Sequence, residues 1–277
     1  FCGMKVLKKT IDFYINSSLH VALSAFSLVL MTDFFFNIDT GYSVAFFAFF
    51  GTVVGYNFVK YDALARLNKL KIKNELKGIV LLSFFSFLAC IYFFWQLSWV
   101  TKTTAFAFLG LTLLYTLPFF PNRQNARNWK GIKIYIVAIT WVGVTVILPL
   151  FEAKFPFSKD VFLMAVQRFL LIFPMILVFD IVDVNKDDVH LQTVPQQIGM
   201  KNTKKVGYLL LALLLALEFF YTDNHHFLPF FFKLLVCITI ALFLLFANEN
   251  RSRYYASLWL ESVPILWWFV LVLSERF

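Results

Sequence analysis

The densest set of groups able to do chemistry is the run Phe179-Asp180-Ile181-Val182-Asp183-Val184-Asn185-Lys186-Asp187-Asp188. Asp180, Asp183 and Asp187 stand at i, i+3 and i+7, so a helix continued through them would carry all three carboxylates on one face. Clustered carboxylates repel one another unless a cation binds, and an oxygen-only donor set favours a hard one. Mg²⁺ typically takes one or two carboxylates and completes its shell with substrate phosphate oxygens and water. The plain alternative is a solvated acidic helix end. No other constellation competes. His20, His190, His225 and His226 have no metal-ligand spacing with Cys or acidic residues, and Cys2, Cys90 and Cys237 form no C-x-x-C pair. A Ser-His-Asp set, a P-loop and a G-x-G-x-x-G run are all missing.

The elements that must position these carboxylates are membrane helices. Of the 277 residues 60% are hydrophobic and only 15% charged, with mean hydropathy +0.75. A soluble domain carries about a quarter charged residues. The apolar runs leave no polar stretch long enough for a soluble domain, which excludes soluble enzymes and secreted modules. With about 20 apolar residues needed per span, nine spans are expected near 17–36, 41–59, 78–97, 103–120, 132–150, 161–179, 206–221, 227–247 and 254–273. The expected fold is thus all-α, a polytopic helix bundle forming a single membrane-embedded domain over residues 1–277. The 37 phenylalanines read as lipid-facing bulk, and Pro118, Pro149, Pro174 and Pro264 as kinks or helix ends. Met4 followed by Lys5, Lys8 and Lys9 reads as a start, with Phe1 to Gly3 upstream of it, and the first apolar stretch lacks a small-residue cleavage site.

The formal charge of +9 is mainly a topology signal. Basic residues gather at the amino terminus, at 60–77, at 123–133 (Arg123, Arg127, Lys130, Lys133), at 186–205 and at Arg251 and Arg253, all on one side of the alternating spans. The other side holds only Lys102, Lys154, Lys159, Lys233 and Arg276. Cytoplasmic loops accumulate Lys and Arg, which puts the amino terminus and the acidic run in the cytoplasm and argues against nucleic acid as a partner. The expected location is a bacterial inner membrane. An acidic run interrupting so basic a face is not what topology alone would produce.

In these residues the chain resembles the UbiA superfamily of intramembrane prenyltransferases. Members carry a DxxDxxxD motif followed by T-x-P and a glycine, matched here by Asp180, Asp183, Asp187, Thr193, Pro195 and Gly199. The nine-span layout with acidic loops after the second and sixth helices is also similar, and the resemblance covers most of the chain. It implies that Asp180, Asp183 and Asp187 hold Mg²⁺ against an isoprenoid diphosphate, whose prenyl group passes to an aromatic or lipid acceptor. The family's first motif, roughly NDxxDxxxD with a trailing Asn-Lys pair, aligns Asn57 on its Asn and Asn68 and Lys69 on that pair, but Phe58, Tyr61 and Ala65 then stand at the aspartate positions. Asp62 is one residue out of register, about 100° around a helix. Lys60 and Arg66 are candidate replacement cations, and Tyr115, Arg123 and Lys130 flank a loop that approaches the diphosphate in the family. Substrate-binding roles are therefore expected for Asn57, Lys60, Asp62, Arg66, Lys69, Tyr115, Arg123 and Lys130. Under the enzyme reading Lys60, Asp62 and Arg66 should face Asp180 across one cavity. The rival is a catalytically impaired relative that binds lipid diphosphate or a partner enzyme. A transporter comes last, because no internal repeat is visible.

Inside the sixth expected span, Arg168 needs a partner. Glu218 lies at matching depth in the next span and is the expected one, with Glu261 as competitor.

Overall fold

The computed structural model describes residues 2–66, 74–116, 131–187, 191–222 and 227–274. Among these every regular element is helical: α1 (Cys2–Asn16), α2 (Leu19–Phe36), α3 (Ser43–Arg66), α4 (Asn74–Gln96), α5 (Trp99–Thr116), α6 (Ile132–Val142), α7 (Leu148–Glu152), α8 (Lys159–Val182), α9 (Val194–Leu217), α10 (Phe227–Phe246) and α11 (Ser262–Ser274). Two stretches are wound as π-helix, Gly143–Ile147 between α6 and α7, and Tyr255–Leu260 leading into α11. Six segments are long and apolar enough to cross a membrane: Leu19–Phe36, Ser43–Tyr61, Leu76–Gln96, Ile132–Glu152, Lys159–Val182 and Tyr255–Ser274. Trp99–Leu114 and Phe230–Phe246 are shorter apolar helices. α9 starts twelve residues before the expected boundary, because its first half is polar and hydropathy registers only the second.

α8 is the axis of the bundle. Ser158 caps its start by accepting the Val161 N–H at 3.3 Å, and Asp160 complements the first turn. From Leu170 to Val182 it supplies much of the largest core cluster, packing with α2, α6, α9, α10 and α11. α4 is at the opposite extreme. Its Val80, Leu81, Phe84, Phe85 and Trp95 are all exposed, an apolar surface on a helix long enough to cross a membrane.

Two prolines show how sequence sets local geometry. Pro149 has no N–H to give back to the carbonyl of Thr145. That carbonyl instead accepts the Thr32 hydroxyl at 2.6 Å, which ties α2 to the π-wound stretch. Pro174 lies inside α8 and leaves the Leu170 carbonyl without its usual intrahelical donor.

Candidate functional site

The helix does not run through the acidic motif. α8 stops at Val182, and Asp183 takes up φ −100°, ψ 8°. The N–H groups of Lys186 and Asp187 both return to the Asp183 carbonyl, at 2.8 and 2.9 Å, so the chain curls back on itself. The expected single face of three carboxylates becomes a curved rim. Asp180 is buried inside it with 2% of its side chain exposed, Asp187 shows 19% and Asp183 40%. Asn185 donates to Glu249 at 3.0 Å, which pins the turn to the loop after α10. Asp188 lies outside the described residues.

The segment after the motif fixes the rim from below. Gln196 accepts the Thr193 N–H at 2.9 Å and donates to the Asp187 carbonyl at 3.4 Å, with Pro195 in the first turn of α9. Gly199 interrupts α9 at φ 77°, ψ 155°, a conformation glycine reaches without a Cβ penalty.

A cation is already in place. Lys133, two residues past Gly131 at the start of α6, puts Nζ 3.0 Å from Asp180 Oδ1 and 3.8 Å from Asp187 Oδ2. Gly131 has φ 68°, a left-handed conformation that favours glycine, and a Cβ there would meet Gln197 Nε2 at 3.0 Å. Lys186 pairs with Asp183 at 2.7 Å.

Asp180, Asp183, Asp187 and Lys133 stand on the wall of a cavity of about 440 Å³. Most of that wall is apolar and comes from α2, α3, α5, α6, α7 and α8. Ala48, Gly51, Thr52 and Gly55 of α3 line it, a face of small side chains at helical spacing that leaves the space open. Trp141 Nε1 donates to the Tyr56 hydroxyl at 2.9 Å across the cavity between α6 and α3. Glu261 lines the same cavity. The volume falls within the usual range for small-molecule sites.

The residues aligned with the first motif fall elsewhere. Asn57 is buried, donating to the Ser17 carbonyl at 3.0 Å and to Ser83 at 2.9 Å while accepting from Ser18 at 2.8 Å, and so clasps α2, α3 and α4. Lys60 Nζ donates to the Asn16 carbonyl at 3.2 Å, and the Tyr61 hydroxyl donates to the same oxygen at 3.0 Å. Neither Asn57 nor Lys60 reaches the cavity wall, which Tyr56 and Val59 of the same helix form. Asp62 and Arg66 lie at the end of α3 and Tyr115 near the end of α5; their side chains, and Lys69, Arg123 and Lys130 entirely, are outside the described residues. Sequence reasoning missed Lys133, Tyr56, Trp141 and Glu261 as cavity residues. In the sequence Lys133 reads only as one of the basic residues at 123–133.

The Arg168–Glu218 pairing is corrected. Glu218 pairs with Lys233 of α10 and accepts from Gln167 at 2.9 Å; Gln167 in turn accepts from Lys233 at 3.1 Å and from the Tyr221 hydroxyl at 3.0 Å. Arg168 faces α2, donating to the Leu28 carbonyl at 3.1 Å and to Thr32 Oγ1 at 3.3 Å. Gln167 donates to the Leu214 carbonyl at 3.1 Å. One residue further along a helix is turned by about 100°, so Arg168 looks away from α9.

Fold and site together define an all-helical protein with six apolar helices long enough to span a membrane and a cavity with an acidic, lysine-bridged rim. No known family, curated protein or solved structure matches the chain.

Proposed function

We propose that the chain is a UbiA-like intramembrane prenyltransferase of about nine spans, with its acidic rim facing the cytoplasm, that transfers a prenyl group from an isoprenoid diphosphate to an acceptor held in the same cavity. The observation that carries this reading is a 440 Å³ apolar cavity with three carboxylates and a lysine on its wall. An isoprenoid diphosphate has the same division, an apolar tail and a highly charged head.

Asp187 Oδ2 is buried without a hydrogen bond, which suits a hard cation beside it. Among the described residues no three acidic, histidine or cysteine side chains converge as a complete metal site. Mg²⁺ would therefore be held by Asp180 or Asp187 with Asp183 nearby, and phosphate oxygens would complete its shell. Bound there, the ion would neutralise charge on the departing diphosphate. Lys133 adds a fixed positive charge where that charge develops, and the apolar wall excludes water from the allylic carbon.

A second reading keeps binding and drops turnover. It is favoured by Tyr61, which stands at one of the positions where the resembled family places its other carboxylates and donates to the Asn16 carbonyl, an oxygen that Lys60 also serves.

The test is Mg²⁺-dependent pyrophosphate release in nanodiscs with geranyl, farnesyl and geranylgeranyl diphosphate and a panel of phenolic acceptors, beside an Asp180→Ala/Asp183→Ala variant. Release by the parent alone supports transfer. Mg²⁺-dependent farnesyl diphosphate binding without release supports the second reading. Absence of such binding refutes both.

A further inference from the structure

An ionisable side chain inside a membrane helix needs a partner, and where the protein supplies none it marks a ligand or ion path. Most such groups here are supplied. Asp33 accepts from Thr40 at 2.7 Å through one of its two oxygens, the other being buried without a hydrogen bond, Arg168 has Leu28 and Thr32, and Lys233 and Glu218 have each other. Glu261 is different. Its carboxylate has no hydrogen bond or ion pair among the described residues, and it lines the cavity together with Ser24, Thr52 and Tyr56. The ammonium of Lys60 is bonded to the Asn16 carbonyl.

The backbone at Glu261 is fixed in an unusual way. It ends the π-wound stretch Tyr255–Leu260, and its N–H reaches five residues back to Ala256 at 3.2 Å. Its carbonyl accepts the Ser24 hydroxyl, while Ser262 and His20 meet at 3.1 Å one residue on. The turn is thus locked to α2 on both sides of the carboxylate. Such π turns re-aim a side chain relative to the α-helical register and recur at functional sites.

We infer that Glu261 anchors the second reactant, a compound with an apolar body and a phenol or alcohol O–H that donates to this carboxylate. The inference deepens the prenyltransferase reading and rests on it for its chemistry. The C–O bond to the diphosphate breaks and its electron pair leaves with the diphosphate. A new bond forms from the acceptor oxygen or its activated ring carbon to the allylic carbon. The proton lost by the acceptor passes to the Glu261 carboxylate. Ser24, Tyr56 and Trp141 line the same cavity.

The experiment titrates the protein in nanodiscs with 1-naphthol and with its methyl ether, 1-methoxynaphthalene, which has the same body and no O–H. Quenching of tryptophan fluorescence, to which Trp141 on the cavity wall contributes, reports binding. The parent should favour the naphthol at least tenfold. Glu261→Leu should bind both alike, and Glu261→Gln, which keeps an acceptor oxygen but no charge, should retain a preference of only a few-fold and serves if the leucine variant does not fold. Equal binding of the two probes by the parent, or an undiminished preference in either variant, overturns the inference. Binding of farnesyl thiodiphosphate by the parent, read separately, reports on the Asp180 rim. Its failure would end the diphosphate reading and leave Glu261 as a site for hydroxylated apolar ligands.

Discussion

Replacing Lys133 by Met should destabilise the protein far more than loss of a surface lysine. The Lys133–Asp180 contact is 3.0 Å, with Asp180 only 2% and Lys133 25% exposed, and no other side chain is shown donating to Asp180. Removing one partner of a buried pair costs about 3–5 kcal/mol, because the remaining charge is left uncompensated. A quarter-exposed lysine marks a point where water can reach, which places the effect near about 3 kcal/mol. For a chain of this size that corresponds to a fall in Tm of roughly 6–12 °C. Asp180→Asn leaves the opposite partner, Lys133, which can turn toward solvent, so its cost should be about 1–2 kcal/mol. In the double variant the Asp180 charge is no longer stranded and only the part-exposed Asp187 loses its cation, so the two single losses should not add. Melting the four proteins in one detergent closes the cycle, with an expected coupling of about 2 kcal/mol. Additivity to within about 0.5 kcal/mol would refute the claim that Lys133 is the counter-charge that holds the rim together.

The same cycle applied to Glu218 and Lys233 should give strong coupling, whereas Glu218 and Arg168 should give almost none; the reverse pattern would restore the depth-matched pairing. Asp12 is held below the ordinary carboxylate pKa first by the Tyr254 hydroxyl and then by Arg253, against an opposing effect of burial. A depressed folded-state pKa contributes stability that is complete above the unfolded value near 3.8 and fades as pH falls through the folded one. Acid melts of the parent and Asp12→Asn should therefore converge only below about pH 4, and a parallel offset down to pH 2 would contradict this. Gly131→Ala, with its left-handed φ and Gln197 Nε2 at 3.0 Å from the new methyl, should lower Tm and weaken farnesyl diphosphate binding together, because it moves the helix that carries Lys133. Unchanged binding at a lowered Tm would separate the turn from the site.

The helices were legible because a span must be long and apolar, and length and apolarity are properties of composition. Thus the segments expected at 17–36 and 161–179 appear as Leu19–Phe36 and Lys159–Val182. What a span's sequence does not carry is its rotation about its own axis. Arg168 and Glu218 match in depth, yet Gln167 occupies the face toward α9 and Arg168 the face toward α2. Lys133 was invisible for a related reason, since a lysine at a helix start contributes the same topology signal whether it faces solvent or a buried aspartate. The acidic motif was legible in residue type but not in shape. Its spacing fits a helix, but α8 ends at Val182 and the chain turns through Asp183 to Asp187. Glu261 shows the strongest form of this limit. A helical period places it only by assuming 3.6 residues per turn, and the π-wound stretch before it breaks that period. The cavity carboxylate left without a hydrogen bond or ion pair among the described residues thus follows a local irregularity that no periodic reading of the sequence can anticipate.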